Sequence, residues 1–161
     1  MGKSANKVLN RYQFVQFVEQ CKAEGKKVVF TNGCFDILHY GHIDYLEKAR
    51  ELGDVLVLGV NTDESIHRLK GSQRPIIQEF DRVRMLAAFE FIDAITLFDN
   101  DTPHELIAEC IPSVLVKGSD YEIKDIVGGQ TVLDNGGEVK TIDYVDGYST
   151  SSIIQKIRDL I

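Results

Sequence analysis

Cysteine is scarce in this chain and poorly placed for cross-linking, because Cys21, Cys34 and Cys110 are odd in number and far apart. They build neither a disulfide framework nor a CxxC metal knuckle, so reduced thiols and a cytoplasmic location are expected. Long hydrophobic runs are also missing. No apolar stretch approaches the roughly 20 residues that a membrane span needs. The opening MGKSANKVLNRYQF has no apolar signal-peptide core, and Ser4 is not where a myristoylation signal beginning at Met1-Gly2 requires it. Positive charge is in deficit. With 18 Lys and Arg against 25 Asp and Glu, the net charge is −7, which argues against a general nucleic-acid binder and leaves room only for a local basic pocket. Three prolines and no repeat, low-complexity tract or linker leave nothing to divide the chain, so one domain over 1–161 is expected.

What is present is ordinary for a folded chain: 43% hydrophobic and 27% charged residues, enough for a sizeable core. The first 25 residues read as a helix, with Phe14, Phe17, Val18 and Cys21 on one stripe and Gly25 as its stop. Short β-branched runs at 27–31, 54–60, 94–98, 113–117 and 138–142 read as buried strands. Helical spacing returns between them, at 42–52, 62–70, 79–91 with Phe80, Val83, Leu86 and Ala87 in phase, after Thr102, around Val132 and Leu133, and from about Ser149 onward. Thr102 is the expected N-cap of its helix, with Pro103 in the first helical position and Glu105 completing a capping box. Strands that alternate with helices in this way predict an α/β fold: a Rossmann-like parallel sheet of about five strands with helices on both faces. Ligands of such sheets bind beyond the carboxyl ends of the strands. Polar segments crowd that rim here, as TNGCFD, NTDES, FDNDTP, KGSDY and VDGYSTSS.

The familiar phosphate loops do not account for the rim. The chain has no GxxxxGK[ST], and the NGCFD after its first strand lacks the GxGxxG spacing. His39 and His42, with Asp36 as a third group, invite a zinc reading. However, helical zinc sites usually space two histidines at i and i+4 and add a recognisable third ligand, so no metal site is expected. An anion reading explains more of the residues. A helix starting near Gly41-His42 aims free N–H groups and its positive end at the rim, and Gly41 lets a ligand approach the backbone. Two imidazoles there donate hydrogen bonds where negative charge develops. Transfer of phosphoryl or nucleotidyl groups needs little more than positioned donors and cations.

HYGH, residues 39–42, is the HxGH signature of the nucleotidyltransferase superfamily, which includes cytidylyltransferases and pantetheine-phosphate adenylyltransferase. From about residue 26 onward come FTNGCFDILHYGHIDYLEKARELGD, LKGSQRPI, DRVRMLAA, DTPHELI, VLVKGSDY, IVGG, GGEV and GYSTSSII. In this order they resemble the heptose 1-phosphate adenylyltransferase domains of bacterial ADP-heptose synthases. The resemblance implies AMP transfer from ATP to D-glycero-β-D-manno-heptose 1-phosphate, with release of pyrophosphate, in lipopolysaccharide core biosynthesis. It also implies a homodimer, and a stand-alone transferase because the sugar-kinase domain is absent. Mg²⁺ is expected to travel with the triphosphate, since that ion is often held by substrate oxygens and water.

Residue by residue, the resemblance implies that His39 and His42 stabilise charge on the α-phosphate and that Lys70 supplies positive charge beside them. Asn32, Gly33 and Phe35 line the nucleotide pocket, Asp36 lies beside the reacting phosphates, and Gly41, Lys117, Gly118, Ser149 and Thr150 complete the nucleotide contacts. Arg82 is the implied substrate-side arginine, and Asp120 joins it on the rim of the fourth strand. One stretch departs from a related pattern. Glycerol-phosphate cytidylyltransferases carry RTEGISTT where this chain has YVDGYSTS, so Tyr144 stands in the arginine's place and that substrate is disfavoured. Plainer readings accompany several of these residues: Lys70 and Arg82 as solvated surface, Asp120 as a turn residue, Ser149 and Thr150 as helix caps. The functional rivals are a transferase using CTP or another phosphorylated alcohol, and a module that senses a nucleotide without turning it over.

Overall fold

The computed structural model describes residues 3–160; Met1 and Gly2, where a myristoylation signal would begin, lie outside the described residues. Five strands form one parallel sheet: β1 (Val28–Gly33), β2 (Val55–Asn61), β3 (Ala94–Phe98), β4 (Val114–Gly118) and β5 (Glu138–Ile142). Their order is β3-β2-β1-β4-β5. Seven α-helices are described: α1 (Arg11–Ala23), α2 (Tyr40–Arg50), α3 (Asp63–Lys70), α4 (Glu79–Ala87), α5 (His104–Cys110), α6 (Gly129–Asp134) and α7 (Thr150–Arg158). The fold is thus the Rossmann-like parallel sheet that the alternating pattern predicts.

The central strands are buried on both faces, which is why they read as continuous β-branched runs and not as alternating ones. Val28 and Phe30 of β1 face one side, where Phe14 and Val18 of α1 and Leu106 and Ile107 of α5 pack. Val29 faces the other, against Leu46 and Ala49 of α2 and Val83 and Leu86 of α4. Burial of the two layers is the main drive for closing the sheet, at about 25 cal/mol per Å² of apolar surface.

Three local expectations change. The first 25 residues are not one helix: a short 3-10 turn over Lys3–Lys7 comes first, and Val8 then bridges Ile95 of β3. Helix α1 begins only after Asn10, whose side chain and that of Gln13 form a reciprocal capping box. The box expected at Thr102 does not form. Pro103 is the N-cap of α5 and makes no side-chain cap bond, while the Glu105 carboxylate accepts from the Asn100 side chain at 3.1 Å. Phe80, in phase with the buried Val83, Leu86 and Ala87, is 64% exposed, because it stands in the first turn of α4, at the end of the helix.

The strand order reverses at β1, from which the chain runs outward first through β2 and β3 and later through β4 and β5. Backbone pairing between β1 and β4 covers only Val29↔Val114 and Phe30↔Leu115. Beyond that register the two strands part, and a crevice opens at their carboxyl ends, the ligand position general to such sheets.

Candidate active site

A cavity of about 520 Å³ occupies this crevice. Strand β1 contributes Asn32 and Gly33 to its wall, β4 contributes Lys117 and Gly118, and the turn after β1 contributes Phe35 and Asp36. His42 and Thr150 approach from the starts of α2 and α7, and Lys70 from the end of α3.

The turn from β1 into α2 is held in an unusual shape. Phe35 has φ +48°, a left-handed conformation that a bulky side chain rarely adopts. Its ring folds back over Gly33, where an added Cβ would stand 3.2 Å from a ring carbon. The same ring meets His42 edge-on, with centroids 5.4 Å apart. His39 is the N-cap of α2 but makes no side-chain cap bond. The N–H groups of Tyr40 and Gly41, in the first turn, find no acceptor among the described residues.

His39 and His42 stack face to face, centroids 3.9 Å apart and planes within 21°. Burial lowers both pKa values. That of His42 falls to about 4, with the proximity of His39 and Lys70 adding to the effect. At neutral pH the pair is therefore uncharged: two N–H donors at a positive helix end, not two cations. Each Nδ1 is buried without a hydrogen-bond partner among the described residues, which costs stability. His42 lines the cavity itself, and His39 stands behind it.

Across the crevice, the Lys117 ammonium bonds the Asn32 side-chain oxygen and so links β4 to β1 where their backbones no longer pair. Burial lowers its pKa to about 8, although Asp120 opposes the shift. Tyr144 closes this end. Its ring stacks on Tyr45 at 5.7 Å, and its hydroxyl lies over Gly118, where any Cβ would overlap it. Tyr45 is fixed in turn by a buried 2.8 Å bond between its hydroxyl and that of Thr31.

Other implied site residues lie elsewhere or do other work. Arg82 is 0% exposed and does not line the cavity. Its guanidinium donates to the carbonyls of Ile77, Cys34 and Asn61 and to the Asp63 carboxylate, at 2.6 to 3.0 Å. Both the solvated-surface and the substrate-contact readings are thereby corrected: with its donors spent on protein acceptors, Arg82 fastens the ends of β1 and β2 to α4. Asp36 borders the cavity, but its carboxylate accepts from the Ile76 and Ile77 N–H groups at 2.8 Å and from Arg74 Nε at 2.6 Å. Burial alone would raise its pKa, and these donors more than offset that and hold it below the usual carboxylate range. Asp36 therefore anchors the loop between α3 and α4.

Gly41 is buried, and a Cβ there would meet the His39 ring at 3.2 Å and Tyr148 Cβ at 3.1 Å. Its bareness makes room for the folded-back imidazole and not, in this arrangement, for a ligand. Ser149 spends its hydroxyl capping α7, accepting from Ser152 N at 3.0 Å, and only Thr150 of that pair reaches the cavity. Asp120 is exposed in a turn off the cavity wall. Lys70 is the last residue of α3. Sequence reasoning missed Tyr45, Asn61, Tyr121 and Tyr144 as lining groups. Three of them are tyrosines, which carried no local motif beyond the arginine replacement at Tyr144.

Among the described residues, no group of three or more His, Cys, Asp or Glu is arranged to hold a metal ion. No described helix is long and apolar enough to cross a membrane.

Residues 30–156 match the cytidylyltransferase-like family. The chain is 52% identical over 154 residues to the bifunctional protein HldE of Citrifermentans bemidjiense, covering 96% of this chain and 32% of that protein. It thus spans about a third of the length of the curated relatives it matches. Among solved structures, the lipopolysaccharide core biosynthesis protein of Thermoplasma volcanium is 29% identical, with a TM-score of 0.62 over 78% of this chain and all of the other. Pantoate-β-alanine ligase from Francisella tularensis shares only 12% identity but the same fold, with a TM-score of 0.61 over 94% of this chain and 76% of its own.

Proposed function

The chain belongs to the cytidylyltransferase-like family, and from that premise we propose that it transfers AMP from ATP to a sugar 1-phosphate, D-glycero-β-D-manno-heptose 1-phosphate. A phosphate oxygen of the sugar 1-phosphate attacks the α-phosphorus of ATP. The new P–O bond forms as the bond from the α-phosphorus to the bridging oxygen breaks, and pyrophosphate leaves with that electron pair. The product is ADP-heptose, a precursor for lipopolysaccharide core. One catalytic unit spanning 1–161, working as a homodimer in the cytoplasm, completes the proposal.

The observation that carries the reading is the neutral, stacked His39–His42 pair at the start of α2, with Lys70 and Lys117 converging on the same crevice. Charge builds on the α-phosphate oxygens in the transition state, and preorganised donors aimed there are worth most. In this scheme His42, backed by His39, and the free N–H groups of α2 meet those oxygens. Lys70 neutralises the neighbouring phosphates, and Asn32, Gly33, Lys117, Gly118 and Thr150 hold the nucleotide. Mg²⁺ is proposed to enter with the triphosphate and to neutralise its charge. The cavity's residues fit a substrate-borne ion, because Asp36 is spent on its own loop and Asp101 is the other carboxylate on the wall.

Pyrophosphate release measured over a panel of nucleoside triphosphates and sugar phosphates tests the reading. Release is expected with ATP and heptose 1-phosphate together and not with either alone. Release with CTP instead would move the chain to a cytidylyltransferase, and nucleotide binding without release under any pairing would leave a sensor.

Lys117 gives a pH signature. Its ammonium is charged at pH 7 and loses its proton as pH rises through about 8. ATP affinity, followed by calorimetry, is therefore expected to fall between pH 7 and 9. The fall should be absent in Lys117→Arg, which stays charged throughout. Equal pH dependence in both proteins would remove Lys117 from nucleotide binding.

A further inference from the structure

Beside the main cavity lies a second cleft of about 450 Å³, between α7 and the loop from Gly71 to Gln78. Its polar lining is Lys70, Gln73, Arg74, Ser151, Gln155 and Arg158, with no carboxylate among the lining residues. Three cations line one space in a chain of net charge −7, and with only Arg74 paired among the described residues, to Asp36 beyond the lining, the positive charge left in excess marks a place for an anion. Arg74 is the most constrained of them. Its Nε is fixed on Asp36 at 2.6 Å, and its side chain is only 16% exposed. Its Nη2 is nevertheless buried with no hydrogen-bond partner among the described residues. A guanidinium held from one side with a free nitrogen on the other is preorganised to bond a phosphate oxygen. Lys70 lines both cavities, so an anion in the cleft would lie next to one held at His42.

We propose that this cleft is a second phosphate subsite, in which Arg74 and Arg158 hold the phosphate group adjacent to the reacting phosphorus. This rests on the transferase reading and supplies what Arg82 does not, since that side chain is enclosed by protein. An in-line displacement at phosphorus has two neighbouring phosphate groups: the phosphate of the attacking sugar 1-phosphate and the departing pyrophosphate. Both present the oxygens that an arginine pair recognises.

The test uses Arg158→Gln, an exposed change on α7, and Arg74→Lys, which keeps a charge near Asp36 but removes the second nitrogen. Lys156→Gln, on α7 but outside the cleft lining, is the control. Thermal melting establishes that each is folded. Initial rates give KM for ATP and for heptose 1-phosphate, and calorimetry gives Kd for inorganic pyrophosphate. Each cleft variant is expected to weaken one ligand by about tenfold, the scale of one lost charge-assisted bond, with the control unchanged. A raised KM for the sugar phosphate with pyrophosphate affinity intact places the acceptor in the cleft. A raised pyrophosphate Kd and ATP KM with the acceptor's KM intact places the leaving group there. If both variants stay within twofold of wild type for every ligand while wild type releases pyrophosphate, the subsite is overturned and the transferase reading stands. If wild type releases none, yet binds pyrophosphate with an affinity that Arg158→Gln weakens, the subsite stands and the reaction does not.

Discussion

Replacing His42 with alanine is expected to lower turnover by about 10²–10³-fold, the usual loss when one donor to a developing oxyanion is removed. The protein should stay folded, since His42 is half-buried at a cavity wall and not part of either apolar layer. His39→Ala should cost a similar factor by another route: the stack at 3.9 Å that fixes the His42 ring would be lost, together with any donor that His39 presents itself. Because the two rings act as a unit, the double variant should be little worse than either single one. The pH profile adds a discriminating detail. Burial, then His39 and Lys70, bring the His42 pKa to about 4. This group therefore stays neutral as pH falls through 6.5, and kcat/KM should show no histidine-type decline there, falling from this cause only on approach to pH 4. A bound triphosphate favours the charged form and raises the value in the complex, so kcat should turn down at a higher pH than kcat/KM. Near-normal turnover in both single variants would sink the mechanism.

Arg82→Met is expected to lower the free energy of unfolding by about 3–5 kcal/mol, a large part of the 5–15 kcal/mol that holds a typical domain. The cost comes less from losing the Asp63 bridge than from what is left behind. Three carbonyls, on Ile77, Cys34 and Asn61, would lose their donor inside the protein. Arg82→Lys should recover only part of the loss, because one ammonium cannot span the four acceptors that the planar guanidinium reaches. Urea unfolding, with the midpoint shifted and the slope unchanged, is the measurement. A substrate-side arginine would behave in the opposite way, raising KM with stability untouched, and that result would restore the role implied by sequence.

The contrast between Arg82 and Arg74 shows where sequence reading reaches its limit. Both are basic residues in motif blocks, DRVRMLAA and LKGSQRPI, and nothing in the string says which one points inward. The answer depends on where carbonyls from β1 and β2 end relative to α4, a relation between segments about 20 to 48 residues apart in the chain. Asp36 and Gly41 followed the same course. They stand at the carboxyl end of β1 and the start of α2 as the sequence pattern places them, but their side-chain roles are set by a loop at 74–77 and by a folded-back imidazole.

By itself, the sequence determined the periodic features: five buried β-branched runs, the helices between them, the parallel order those crossovers favour, and the rim where polar residues collect. Such features are local, because strand and helix periods are properties of short windows. It also placed HYGH at the turn into α2, since a glycine and two histidines after a hydrophobic run mark that position without knowledge of the rest. Only the tertiary structure decided which charges face the crevice, because burial and hydrogen-bond satisfaction depend on partners distant in the chain. The tyrosine wall of Tyr45 and Tyr144, the neutral state of the histidine pair and the cationic cleft beside α7 all come from that long-range packing, and none has a signature within a single window of sequence.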